Sequence, residues 1–206
     1  MAENRVEAGD PGAAWAPRSA WAGFLQAGRH GRMTGEPGLR IAPREGLRLA
    51  AIVVGRDGAE AAGTRLAEAL GLPLPEPRRA SLGPDRGLVW TGPGQWLAVA
   101  EAAATLGSLA PALADLAAVT DQSDARAVLR VSGPRARDVL AKGFAIDLHP
   151  RAFPVGSAAT TSVGGIGVQI WMSGAATYDI AVGRSLAGSF WSWLSASAAS
   201  EGYAVI

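Results

Sequence analysis

The sequence predicts an α+β fold: two related halves packed into one domain, with antiparallel sheet and helices on one side. Three observations predict it. Short strand-like runs bounded by glycine turns alternate with segments of helical period. The order strand–helix–hairpin–helix occurs twice. The offset between the two copies is nearly constant, 78 residues from Gly55 to Gly133 and 82 from Trp96 to Tyr178. That period is too long for a solenoid repeat and reads as an internal duplication, similar in kind to two halves sharing a core.

Residues 1–45 stand apart. They are rich in Gly, Pro and Arg and show no sustained period, so they read as an extended N-terminal tail. The tail nevertheless holds Trp15, Trp21, Phe24 and Leu25. Tryptophan is a common interface anchor, so the tail is expected to order against another chain.

Regular structure begins at Gly46, and residues 46–206 form the expected duplicated domain. Leu47, Leu49, Ala51 and Val53 alternate with other residues into a strand closed by Ile52-Val53-Val54. Gly55-Arg56-Asp57-Gly58 is a turn. Ala59–Leu70 carries Ala62, Leu66, Ala69 and Leu70 at helical spacing, with Gly71 after it and Pro73 beyond. Leu88–Thr91 and Trp96–Ala100 flank Gly92-Pro93-Gly94 as a hairpin. Ala103–Ala118 is read as the next helix.

The second half repeats this order. Strand Ala127–Val131 runs into Ser132-Gly133-Pro134, and proline at a helix start costs no hydrogen bond. Helix Arg135–Lys142 buries Ala136, Val139 and Leu140, and Gly143 is placed to end it. Gly167–Met172 and Tyr178–Val182 flank Ser173-Gly174-Ala175, so that Trp90 and Trp96 correspond to Trp171 and Tyr178. Helix Ser185–Ala198 closes the unit. Trp191 and Trp193 lie two apart and cannot share one helix face, so one is expected in the core and the other, Trp193, at an interface.

Composition narrows the function. Among 206 residues, 19 basic and 18 acidic side chains leave a net charge of +1. That gives no field for nucleic acid or a membrane surface. The absence of cysteine excludes disulfides, thiolate catalysis and the common structural zinc sites, and fits a cytoplasmic compartment. Glu3 and Glu7 stand where a signal peptide needs a basic start. The apolar stretch Trp96–Val119 is broken by Glu101, Pro111 and Asp115, and reads as a buried strand followed by a helix.

Chemistry-bearing motifs are sparse. No phosphate-binding loop lies between a strand and a helix, and Gly164-Gly165-Ile166-Gly167 leads into a strand. Asp147-Leu148-His149 sets a carboxylate beside an imidazole, but reads as an exposed loop bonding its own backbone. Asp121 and Asp124 flank Ser123 in what reads as an Asx-type turn. Arg126, Arg130, Arg135 and Arg137 read as a solvated or salt-bridged face. No catalytic, cofactor-binding or metal-ligating residue is expected.

Several segments together resemble one family. Val119–Gly156, Gln169-Ile170-Trp171 and Tyr178–Leu194 resemble the gamma subunit of heterotetrameric sarcosine oxidase, as do Leu88–Leu97, Ala20–Leu25 and Gly28–Gly31. That family is in turn similar to the folate-binding domain of the glycine-cleavage T-protein. The resemblance implies a complex of alpha, beta, gamma and delta subunits that oxidises sarcosine to glycine with tetrahydrofolate and oxygen. It implies FAD, FMN, NAD and zinc carried by the other subunits. The T-protein's acidic catalytic segment survives at best as Gly83-Pro84-Asp85-Arg86-Gly87. The implied role is a non-catalytic assembly subunit. The other reading kept open is a stand-alone folate-binding aminomethyl-transfer protein of T-protein type.

Overall fold

The computed structural model describes residues 18–55, 58–101 and 106–206. The first half comprises β3 (Arg48–Val54), α1 (Ala59–Leu70), β4 (Ala80–Leu82), β5 (Arg86–Gly92), β6 (Gln95–Ala100), α2 (Leu109–Ala112) and β7 (Ala117–Asp121). The second comprises β8 (Arg126–Ser132), α3 (Ala136–Leu140), β9 (Ala158–Val163), β10 (Ile166–Gly174), β11 (Thr177–Gly183), α4 (Ala187–Ala198) and β12 (Tyr203–Val205). Two strands precede them, β1 (Gly28–His30) and β2 (Leu39–Pro43).

The fold is mixed α+β, but the strands form two sheets. One has the order β4-β5-β6-β3-β7; the other has β1-β12-β2-β8-β11-β10-β9. All neighbours are antiparallel except β12 and β2, which run parallel. Side-chain alternation explains why there are two sheets and where the helices go, since successive residues of a strand face opposite ways. In β3, Ala50, Ile52 and Val54 pack with α1 and α2, while Leu49 faces the other sheet. In β6, Trp96 and Ala98 take the helix side and Leu97 and Val99 the sheet side. In β8, Ala127, Leu129 and Val131 pack with α3 and α4, while Val128 faces the first sheet. The layers are therefore helix, sheet, sheet, helix. Helices on one side only, the expected arrangement, would leave the opposite apolar face of each sheet in water. That face is instead closed by the second sheet.

The N-terminal boundary also differs from expectation. Residues 28–43 are no tail: β2 lies between β12 and β8, with Leu39 and Ile41 completely buried. Trp21 is 3% exposed and belongs to the core between the second sheet and its helices. Aperiodic composition hid this, because a five-residue strand filling a slot made by distant strands needs no period of its own.

Local signals held best where they acted alone. Helix α1 ends at Leu70, and Gly71 takes the left-handed conformation at φ 66° and donates to the Ala67 carbonyl. Of the expected helix Ala103–Ala118, Leu106, Gly107 and α2 are helical, with a turn at Ser108 between them and residues 102–105 outside the described ones. Ala117 and Ala118 pair with Val54 and Val53 on the edge of β3 instead. The cross-strand hydrogen bonds available at that edge outweigh alanine's helical preference. Gly143 does not cap α3, which ends at Leu140. A side chain there would meet the Trp193 indole at 2.7 Å, so the glycine serves close packing. Gly133, at φ 122°, lets the chain pass Gly38, whose carbonyl an added Cβ would meet at 2.6 Å. Trp90 pairs with Trp96, but it is Met172 that pairs with Tyr178. The expected match of Trp90 to Trp171 is thus one residue off, and Trp171 faces the sheet–sheet layer.

Candidate functional site

Between the sheets opens a cleft of about 190 Å³. The β4–β5 turn with the strand residues flanking it (82–87) and the end of β6 line it from the first sheet. Arg130, Trp171, Ser173 and Asp179 line it from the second, and Arg44 follows β2 into it. The supposed acidic remnant Gly83–Gly87 is therefore a turn on this cleft.

Asp179 is the chemical centre. It shares the sheet-facing side of β11 with Ala181 and is 1% exposed. Register places Arg130 of β8 directly opposite. The Arg130 Nε donates to Oδ1 and Nη2 to Oδ2, both at 2.9 Å, a bidentate pair. Arg44 Nη1 adds a third bond to Oδ1 at 3.1 Å, and Arg44 also pairs with Glu101. A buried carboxylate is tolerable only when matched in this way. The hydrogen bond to Asp179 holds the Arg130 guanidinium above its ordinary pKa, against the opposing effect of burial. Both Asp179 oxygens are thus engaged by guanidinium donors.

Other groups in the cleft are similarly bound. Arg86 donates to both oxygens of Asp85, at 2.9 and 3.2 Å, and that hydrogen bond lowers the Asp85 pKa. The Ser173 hydroxyl is buried with no hydrogen-bond partner among the described residues. No histidine lines the cleft to activate it.

The motifs singled out in the sequence lie elsewhere. Asp147 accepts the His149 amide at 2.8 Å, and the imidazole Nδ1 faces the Arg151 amide at 3.3 Å, in an exposed loop. Asp121 accepts the Ser123 amide at 2.7 Å, the expected Asx-type turn, and Ser123 Oγ in turn accepts the Leu49 amide. Gly164 and Gly165 form the tip of the β9–β10 hairpin at positive φ. Among the described residues no group of three or more His, Asp or Glu could hold a metal ion. No helix described is long and apolar enough to cross a membrane.

The interface candidates separate. Trp15 lies outside the described residues. Trp21 is core, so its burial needs no second chain. Leu25 packs partly against the same core. Phe24 remains 46% exposed and lies over Gly188. Trp191 and Trp193 are both half-buried rather than one in and one out. Trp193 rests on Phe144 and Phe190, and Trp191 on Tyr203. Two positions apart, they straddle the edge of the buried stripe.

The sequence reading passed over Asp179 and Arg44. A signal existed: Asp179 interrupts the apolar run Tyr178–Val182, and Arg130 interrupts Ala127–Val131. Lone opposite charges inside two buried strands imply pairing across them.

Residues 54–200 match the model of the sarcosine oxidase, gamma subunit family. Sarcosine oxidase subunit gamma of Corynebacterium sp. (strain P-1) is 42% identical over 119 residues, covering 56% of this chain and 59% of that protein. The Arthrobacter sp. protein of the same name is 42% identical over 113 residues, 53% of this chain and 56% of its own. The matched stretch thus spans little more than half the length of these relatives. A chain of heterotetrameric sarcosine oxidase from Corynebacterium sp. U-96 superposes with a TM-score of 0.74 at 29% identity, covering 81% of this chain and 88% of that one. Glycine cleavage system aminomethyltransferase T from Bartonella henselae shares the fold at a TM-score of 0.60 and 16% identity, covering 82% of this chain and 48% of that one.

Proposed function

The chain belongs to the sarcosine oxidase gamma subunit family, and we propose that it is a structural, non-catalytic subunit of a heterotetrameric sarcosine oxidase. The observation that carries this is the superposition on a chain of such an assembly over 88% of that chain's length. Its partners are the alpha, beta and delta subunits, and the complex converts sarcosine to glycine with tetrahydrofolate and oxygen. FAD, FMN, NAD and zinc reside in those partners. The site chemistry supports this division of labour: the buried carboxylate is held by two guanidiniums, and the buried Ser173 hydroxyl has no hydrogen-bond partner among the described residues.

In this reading, Phe24 and the rim of Trp193 are contact points for the other subunits, and the compartment is cytoplasmic. We also read the two sheets as products of internal duplication. The strand order β4-β5-β6-β3 parallels β9-β10-β11-β8, and both central hairpins carry a bulge, after Trp90 and after Met172.

Co-expression with the flavin-bearing chains tests the assignment. The chain is expected to co-purify stoichiometrically and to be required for a stable complex that consumes oxygen with sarcosine. A chain that stays monomeric and binds tetrahydrofolate saturably on its own would instead be a free aminomethyl-transfer protein.

A further inference from the structure

A second, larger cleft of about 490 Å³ lies on the other side of Arg44. Its lining includes Arg18, Arg44, Arg48, Arg126 and Arg184, against the two acids Glu45 and Asp124. Arg44 is committed to Asp179 and Glu101. That leaves four guanidiniums facing two carboxylates within the cleft, of which Arg184 donates to the Arg18 carbonyl and Arg48 also lies within the field of Asp121.

Arg126 is the telling residue. It opens β8 on the sheet-facing side, the side of Val128 and Arg130. Its Nε is sealed from solvent without an acceptor, and the side chain forms no ion pair among the described residues. Arg130, four residues along the same strand, is satisfied by Asp179. Burial alone pushes the Arg126 pKa down, with no carboxylate to push it back. A guanidinium stays charged at neutral pH even so. An unpaired, half-buried cation costs free energy that an anion would recover. Neither acid of the lining pairs with Arg126 among the described residues: Glu45 accepts the Ser19 hydroxyl, and Asp124 forms no ion pair. The flanking guanidiniums add to the field rather than relieve it.

We propose that this cleft is a carboxylate-binding site, with Arg126 as the inner contact and Arg48, Arg18 and Arg184 setting the field around it. The planar guanidinium fork matches a carboxylate bidentately. The carboxylate comes either from a free organic acid or from an acidic side chain of a partner polypeptide. The free-acid source stands on the site's own residues; the partner-borne source rests on the assembly proposed above.

The full-length chain titrated with citrate by calorimetry at low ionic strength tests it, with inorganic phosphate as the comparison anion. Citrate is expected to bind saturably and more tightly than phosphate. Arg126→Gln weakens it at least tenfold, and Asp124→Asn strengthens it. Arg65→Gln, remote on α1, leaves it unchanged. If Arg126→Gln does not fold, the exposed Arg48→Gln and the charge-conserving Arg126→Lys carry the comparison, each with a smaller loss. A partner-borne carboxylate gives a different pattern: no citrate binding by the free chain, but loss of subunit retention in the complex on Arg126→Gln. Phosphate binding as tightly as citrate, or citrate binding and assembly both indifferent to these variants, overturns the proposal.

Discussion

Charge burial decides the most at the scale of single residues. Asp179 is closed off from water and tied to Arg130 and Arg44. Removing Asp179 leaves Arg130 without its bidentate partner and Arg44 with Glu101 alone, and opens a gap where a buried carboxylate had satisfied both. Asp179→Ala is therefore expected to destabilise the fold by about 3–5 kcal/mol, read as a lower urea midpoint at unchanged slope. Asp179→Asn, which keeps acceptors for some of the same donors, loses less. A loss below 1 kcal/mol in the alanine variant would mean that the guanidiniums find water or other acceptors without cost.

At the scale of elements, β2 and the segment before it change meaning. A tryptophan in an aperiodic stretch invited an interface reading, in which Trp21→Ala would weaken assembly and spare the monomer. The structure sets the opposite expectation: Trp21 fills the core beneath the second sheet, so Trp21→Ala costs about 3–5 kcal/mol of stability in the isolated chain. Thermal unfolding of the free protein distinguishes the two. The turn between α4 and β12 carries a pH dependence. Glu201 is held below its ordinary pKa first by the hydrogen bond from Arg135, at 2.9 Å, and then by the charges of Arg135, Lys142 and Arg32. A carboxyl with a depressed folded-state pKa lends stability that is fully present above its unfolded pKa, about 4.3. That stability is lost as pH falls through the lower folded value. Acidification through this window should lower the denaturant midpoint, and Glu201→Gln should flatten that part of the profile. Because the pair is exposed, the effect is small and screened by salt.

For the whole molecule, the sheet–sheet layer is what makes two halves one body. Leu49, Val89, Leu97 and Val99 of the first sheet meet Val128, Ala158, Trp171 and Ala181 of the second. Trp171 is the largest of these side chains, so Trp171→Ala should cost about 3–5 kcal/mol. It should also broaden the single calorimetric transition expected of the intact protein toward two. A variant that merely shifts one sharp transition would mean that the halves are coupled by other contacts, β2 and the Arg44 network among them. The same layer opens into the two clefts that Arg44 divides, so the junction between halves also holds the buried carboxylate of Asp179 and the half-buried Arg126.

What the sequence determined by itself is local. Helix α1 and its Gly71 cap, the two hairpins around Gly92-Pro93-Gly94 and Ser173-Gly174-Ala175 and the Asx turn at Asp121 all follow from periods and turn chemistry spanning a few residues. The family was legible as well, because an ordered set of such segments is hard to reproduce by chance. Only the tertiary structure decided that the strands divide into two stacked sheets, that β2 and β12 complete the second one, and that Ala117 and Ala118 join a sheet edge instead of a helix. It alone set Asp179 opposite Arg130 and left Arg126 without an ion pair among the described residues. These outcomes depend on which distant strand offers an open edge or an opposite charge. A residue's neighbours along the chain carry no record of that, since the burial that gives such a contact its energy exists only after the chain has closed on itself.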